Sequence, residues 1–252
     1  MRSGDVRDSD PWRRALRASG CFGELFGAQP PRYVPPMLTP SPLAIPLLTA
    51  VLVAGLVYGE FRSLDWLRIG TKIPASLAFI VYGTQHGALA GHGDGYAMFA
   101  ALWLCAFGDW FLLSRKKAPF LAGIVSFLLG HIGYLVVFFL MGVDLTAFGL
   151  AALGIGAFAW QVWRWVGPHA GNLRGAVAAY IVVISIMVCG AIGAVVYNPG
   201  PRTWTLLAGA VIFFLSDLCV ARDRFVSPGP QNRVVGLPLY YAGQLLFAAA
   251  AT

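Results

Sequence analysis

Two aspartates, Asp109 and Asp217, sit inside apolar stretches of the chain, residues 96–114 and 203–221. A carboxylate near the middle of a membrane-spanning helix costs about 2.5 to 3.5 kcal/mol on insertion scales, so such residues face a bundle interior and serve a site. Their contexts match: Phe107-Gly108-Asp109 and Leu215-Ser216-Asp217, each followed within six residues by an arginine. Polar side chains in two further apolar stretches complete a constellation, His131 and Tyr134 in residues 118–141 and Tyr241 and Gln244 in residues 234–251. Two carboxyl groups with an imidazole nearby suit acid and base catalysis, one group giving a proton while another stays ionised.

The same side chains have a plainer use, hydrogen-bonding between helices at about 0.6 to 2 kcal/mol each. Ser, Thr, Asn or Gln would do that at lower insertion cost, which favours chemistry for the aspartates. Tyr134, Tyr241 and Gln244 fit either use. Lys72, followed by Ile73-Pro74, reads as the opening of a span, where proline is tolerated in a first turn; it either anchors the helix at the membrane face or binds phosphate. Glu60 beside Arg62 reads as a snorkelling or paired end of the first span. The histidines of Gln85-His86-Gly87 and His92-Gly93-Asp94 lie in a glycine-rich loop on the opposite face from the aspartates, a poor frame for a metal. Four cysteines, Cys21, Cys105, Cys189 and Cys219, lack Cys-x-x-Cys spacing and read as small packing residues. The chain contains no nucleophile elbow, phosphate loop or dinucleotide fingerprint, and we expect no cofactor and no metal.

The elements that must position these residues follow from composition. Of 252 residues, 58% are hydrophobic and only 12% charged, outside the range of a soluble domain. Apolar windows of about 17 to 25 residues, enough to cross roughly 30 Å of hydrocarbon, fall at 43–61, 71–90, 96–114, 118–141, 143–163, 175–197, 203–221 and 234–251. The fold class is therefore all-α, a polytopic transmembrane bundle of about eight spans; the continuous runs do not alternate as barrel strands do. The net charge of +7 is distributed by loop rather than gathered on one face, which argues against nucleic acid. Loops after the odd-numbered spans hold Arg62, Arg68, Lys72, Arg115, Lys116, Lys117, Arg164, Arg174, Arg222, Arg224 and Arg233, whereas the other loops and the C-terminus hold only Arg202. By the positive-inside rule the basic loops are cytoplasmic and both termini lie outside the cytoplasm.

Residues 1–41, polar and then proline-punctuated, read as a disordered extension, with Met37 as an alternative start just ahead of a single transmembrane domain at 42–252. The third and seventh spans are four apart and run the same way, so Asp109 and Asp217 should share a depth, about 7 to 9 Å from the basic loops at 1.5 Å per residue. The polar groups of the fourth and eighth spans echo each other as well, hinting at two four-helix halves in a parallel repeat.

At these residues the chain resembles the YhhN family of membrane proteins, whose animal members are lysoplasmalogenases. The resemblance runs from about Leu43 to the C-terminus. It is carried by Lys72 and Pro74, Gly108-Asp109, Gly123, Phe127, His131 and Tyr134, Ser216-Asp217, Ala221, Arg224-Phe225, Tyr240-Tyr241 and Gln244. The chain departs from it at Lys72-Ile73-Pro74, where the family commonly reads Lys-Pro, and at Gly243-Gln244, where it reads Ala-Gln. The resemblance implies hydrolysis of the vinyl ether of a lysophospholipid within the bilayer, with Asp109 and Asp217 as acid and partner carboxylate, and His131 or Tyr134 assisting. Tyr241 and Gln244 would bind substrate, and Lys72, Arg115 and Arg222 could hold its phosphate. A bacterial inner membrane is the expected location. Paired intramembrane aspartates describe proton-coupled carriers too, and a lipid-binding module without turnover is a third reading.

Overall fold

The structure, a computed structural model, describes residues 43–114 and 116–252, so the extension at 1–41 and Arg115 lie outside the described residues. Among the described residues eight α-helices follow one another: α1 Ala44–Arg62, α2 Asp65–Gln85, α3 Gly93–Phe111, α4 Lys117–Met141, α5 Leu145–Val166, α6 Arg174–Tyr197, α7 Pro201–Ala221 and α8 Pro230–Ala249. Each corresponds to one expected span. Five of them (α1 and α4 to α7) are long and apolar enough to cross a membrane by composition alone. The other three, α2, α3 and α8, carry Lys72, Asp109 and the Tyr240-Tyr241-Gln244 set, whose polarity lowers their hydropathy. The outward faces confirm the medium: on α5, Leu145, Leu150 and Leu153 are 71%, 66% and 73% exposed. Leucines left bare on one helix of a bundle are placed for lipid, not water. The chain is a multi-pass membrane protein.

One boundary differs instructively. Helix α2 begins at Asp65, not near Lys72, so Lys72 lies in its third turn and Pro74 inside the helix instead of in its first turn. The hydropathy window missed two turns because Asp65, Arg68 and Lys72 are charged. Those charges are paired inside the protein, as Arg68 donates to Glu60 and to Asp65, each at 2.6 Å. Pro238 likewise sits inside α8. Each proline removes one helical hydrogen bond, two residues before Ser76 and Tyr240 respectively.

Most of the packing repeats when the helix number advances by four, the contacts of α8 with α1 and α3 being the exceptions. Helix α1 pairs with α2 and α5 with α6; α3 lies along α4 and α7 along α8; α2 joins α3 and α6 joins α7; α2 meets α8 and α6 meets α4. Glycines set the register. A Cβ at Gly123 of α4 would stand 3.3 Å from the Gly108 carbonyl oxygen, and one at Gly130 3.5 Å from that of Ala101. On α8, a Cβ at Gly236 would stand 3.6 Å from the Ser216 carbonyl oxygen and one at Gly243 3.3 Å from that of Gly209. The same seven-residue step governs both contacts, and small residues let backbones approach this closely in membranes. This register aligns Asp109 with Asp217, His131 with Gln244 and Tyr134 with Phe247. The last two rings stack on one another, with centroids 3.9 Å apart and planes 9° apart.

Candidate functional site

Asp109 lies in the last turn of α3, and its side chain is 3% exposed. Three neighbours occupy its two oxygens. Lys72 Nζ of α2 is 3.3 Å from Oδ1. Ser76 Oγ, one turn further along α2, donates to Oδ2 at 2.6 Å, and Tyr240 of α8 donates to the same oxygen at 2.8 Å. Ser76 and Lys72 share a face because they are four residues apart. Behind them, Tyr241 OH lies 3.3 Å from Ser76 Oγ and 3.4 Å from the Lys72 carbonyl oxygen. The cluster ties α2, α3 and α8 together, and breaking one side of such a buried pair costs about 3 to 5 kcal/mol.

Asp217, in the last two turns of α7, is less enclosed at 15% exposure and draws one partner from each half. Tyr180 of α6 donates to Oδ2 at 2.8 Å, and His131 Nε2 of α4 stands 3.4 Å from the same oxygen. The other ring nitrogen, His131 Nδ1, is 2.6 Å from the Phe127 carbonyl oxygen. A carbonyl only accepts, so Nδ1 carries a proton. The contact between Nε2 and the carboxyl is then attractive only if the pair holds one further proton, on the imidazole or on the acid.

The two carboxyl groups share no partner. Between them stands an aromatic wall: the Phe213 ring is 4.5 Å from that of His131 and 5.3 Å from that of Tyr240, and Phe127 meets Tyr240 at 5.7 Å. Both nonetheless lie within electrostatic reach of the Cys105 thiol. Tyr134 contacts neither aspartate; it donates to Gln244 Oε1 at 2.5 Å, leaving Gln244 Nε2 buried without a hydrogen-bond partner. His131 Nε2 is likewise buried and lacks a hydrogen bond, although Asp217 faces it. The expected constellation thus divides into three: Asp109 with Lys72 and Tyr241, Asp217 with His131, and Tyr134 with Gln244.

At the basic end of the bundle, a lattice joins α1, α2, α8 and the π-helical turn Arg222–Val226. Arg233 bridges Glu60 at 2.6 Å and Asp223 at 3.1 Å, and Arg68 closes the other side of Glu60. Arg222 donates to the neutral Asn232 side chain at 2.5 Å, so that bond leaves its charge uncompensated. Arg224 is exposed and sits 3.9 Å over the Phe120 ring. At the other end, Arg202 grips Asp94 and the carbonyls of Ala250 and Ala251, and His86 lies there with its Nδ1 against Tyr82, far along α2 from Lys72.

Sequence reasoning passed over Ser76, Tyr180 and Tyr240 as site residues. Ser76 was signalled by its four-residue spacing from Lys72. Tyr180 stands almost alone as a polar group in the apolar span 175–197, and Tyr240 directly precedes Tyr241.

The YhhN family model matches residues 67–251 of the chain. "Lysoplasmalogenase TMEM86A" of Bos taurus is 28% identical over 226 residues, covering 84% of this chain and 89% of that protein. "Lysoplasmalogenase" of Mycobacterium bovis is 30% identical over 219 residues, covering 78% of this chain and 80% of that protein. The human "Lysoplasmalogenase TMEM86A" is 26% identical over 217 residues. No solved structure matches the chain.

Proposed function

The chain belongs to the YhhN family, and on that premise we propose that it is an integral-membrane hydrolase that cleaves the vinyl ether of lysoplasmalogen-type lysolipids. The products are a fatty aldehyde and a glycerophospho-alcohol. The observation that carries this reading is the pair of enclosed carboxyl groups on parallel helices near the basic end of the bundle, in a chain similar along most of its length to named lysoplasmalogenases.

A vinyl ether hydrolyses when an acid protonates its β-carbon. The resulting oxocarbenium ion is captured by water at the α-carbon, and the hemiacetal falls apart. Glycosidases meet a similar cation with two carboxyl groups. A lysolipid lying in the leaflet holds its ether linkage just beneath its headgroup, and both aspartates sit within the final turns of helices that end at that level. Arg222 and Arg224 have positive charge to offer a phosphate, and Arg115 is adjacent in sequence to that rim. Lys72 is instead committed to Asp109. The basic loops argue for a cytoplasmic rim, hence extracytoplasmic termini, and we place the protein in a bacterial inner membrane.

The test is incubation of detergent-purified protein with alkenyl, alkyl and acyl lysolipids while following aldehyde by mass spectrometry. Turnover of the alkenyl form alone is expected; Asp217→Asn should lower it by about 10² or more, and Asp109→Asn should lower it as well. Turnover of none, with gradient-dependent flux in liposomes, would mark a carrier instead.

A further inference from the structure

The two aspartates are not equivalent in their surroundings, and the difference divides their work. We infer that the proton that begins the reaction is held between His131 and Asp217, that Tyr180 is a positioning residue for that pair, and that Asp109 acts through packing. This rests on the function proposed above.

Asp109 is enclosed: Lys72 faces one oxygen and two hydroxyls donate to the other, and its side chain is 3% exposed. A carboxyl group so held is fastened to α2 and α8 and closed off from its surroundings. Asp217 is five times more exposed, at 15%, and has one hydroxyl donor, Tyr180, on an oxygen that also faces an imidazole nitrogen lacking a hydrogen bond. His131 is locked by its Nδ1 bond to Phe127 and by the Phe213 ring on one face. Its Nε2 can therefore only exchange a proton in the direction of Asp217 or of something bound beside it. The groups facing the pair are Tyr180 from α6, Phe213 from α7 and, more distantly, the Cys105 thiol of α3; Arg222, five residues beyond Asp217, is turned to Asn232.

The step balances. The pair gives its extra proton to the β-carbon, a C–H bond forms and the vinyl double bond becomes the oxocarbenium C=O. Water adds to the α-carbon and returns a proton to the pair. Collapse of the hemiacetal then breaks the C–O bond, moving a proton from its hydroxyl to the departing glycerol oxygen. One water is consumed overall. Tyr180, bonded to the oxygen that His131 faces, fixes the carboxyl rotamer and does not touch substrate.

The experiment compares wild type, Tyr180→Phe and Asp217→Asn in one detergent, with two readouts. In kinetics on alkenyl lysolipid, Tyr180→Phe should lower kcat about tenfold with KM within about twofold, because positioning acts on chemistry rather than binding. In nitrogen NMR of histidine-labelled protein, with His131→Gln assigning the signal, His131 should keep its Nδ1 proton throughout. Its Nε2 resonance should be displaced in Asp217→Asn, while the signals of His86, His92 and His169 stay in place. Aldehyde release by wild type, together with a Tyr180→Phe variant unchanged in kcat and a His131 Nε2 signal indifferent to Asp217, would overturn the assignment and leave the function standing. No release by wild type would overturn the function, and with it the role given to the proton.

Discussion

At the scale of single residues, the chemistry depends on which polar groups are spoken for. Lys72 and Asp109 neutralise one another, so Asp109→Asn leaves a buried ammonium without its partner. Removing both charges together is milder than removing one. We expect Lys72→Met with Asp109→Asn to recover aldehyde release at least tenfold over Asp109→Asn alone, measured per folded molecule; a double variant no better than the single one would show that the carboxylate itself is needed. Gly108 gives a structural test beside the same aspartate. A Cβ there would lie 2.6 Å from the Phe127 ring, which is itself wedged against Phe213 and Tyr240. Gly108→Ala should destabilise the protein by about 1 to 3 kcal/mol, seen as a lowered melting temperature in detergent.

At the scale of elements, the sequence disclosed most of the helices and little of their pairing. Eight apolar windows became eight helices because hydrocarbon thickness sets their length and nothing else satisfies the backbone in lipid. It misled at α2, where charged residues that the fold pairs internally read as loop. The candidate side chains were legible as polar anomalies, but their division into separate clusters was not. Whether Tyr134 meets Asp217 or Gln244 depends on helix rotation, and that is set by small residues such as Gly123 and Gly130 rather than by the polar groups themselves. Those glycines make the register testable. A Cβ at Gly130 would stand 2.6 Å from Cys105 Sγ. Gly130→Ala should therefore destabilise, and Cys105→Ala in the same chain should restore much of the loss; additive effects in a double-mutant cycle would deny the close approach of α3 and α4.

At the scale of the whole molecule, two four-helix halves carry corresponding aspartates in unlike settings. Asp109 and Lys72 form an ion pair in a cluster that fastens α2, α3 and α8; Asp217 of the second half faces His131 of the first. Such a division lets one fold use one carboxyl group to fasten its helices and leave a second for proton transfer. Eight spans also require both ends of the membrane domain on one side. A reporter active only outside the cytoplasm, fused after Thr252, should be active, and one placed in the loop between α3 and α4 should be silent.

The central claim, that intramembrane carboxyl chemistry protonates a vinyl ether, has a direct measurement. Purified protein is given an alkenyl lysolipid in deuterated water and the released aldehyde is weighed by mass spectrometry. One carbon-bound deuterium is expected at the position next to the carbonyl, together with its disappearance, along with the aldehyde, in Asp217→Asn. Aldehyde released without that deuterium, or released undiminished by the variant, would contradict it.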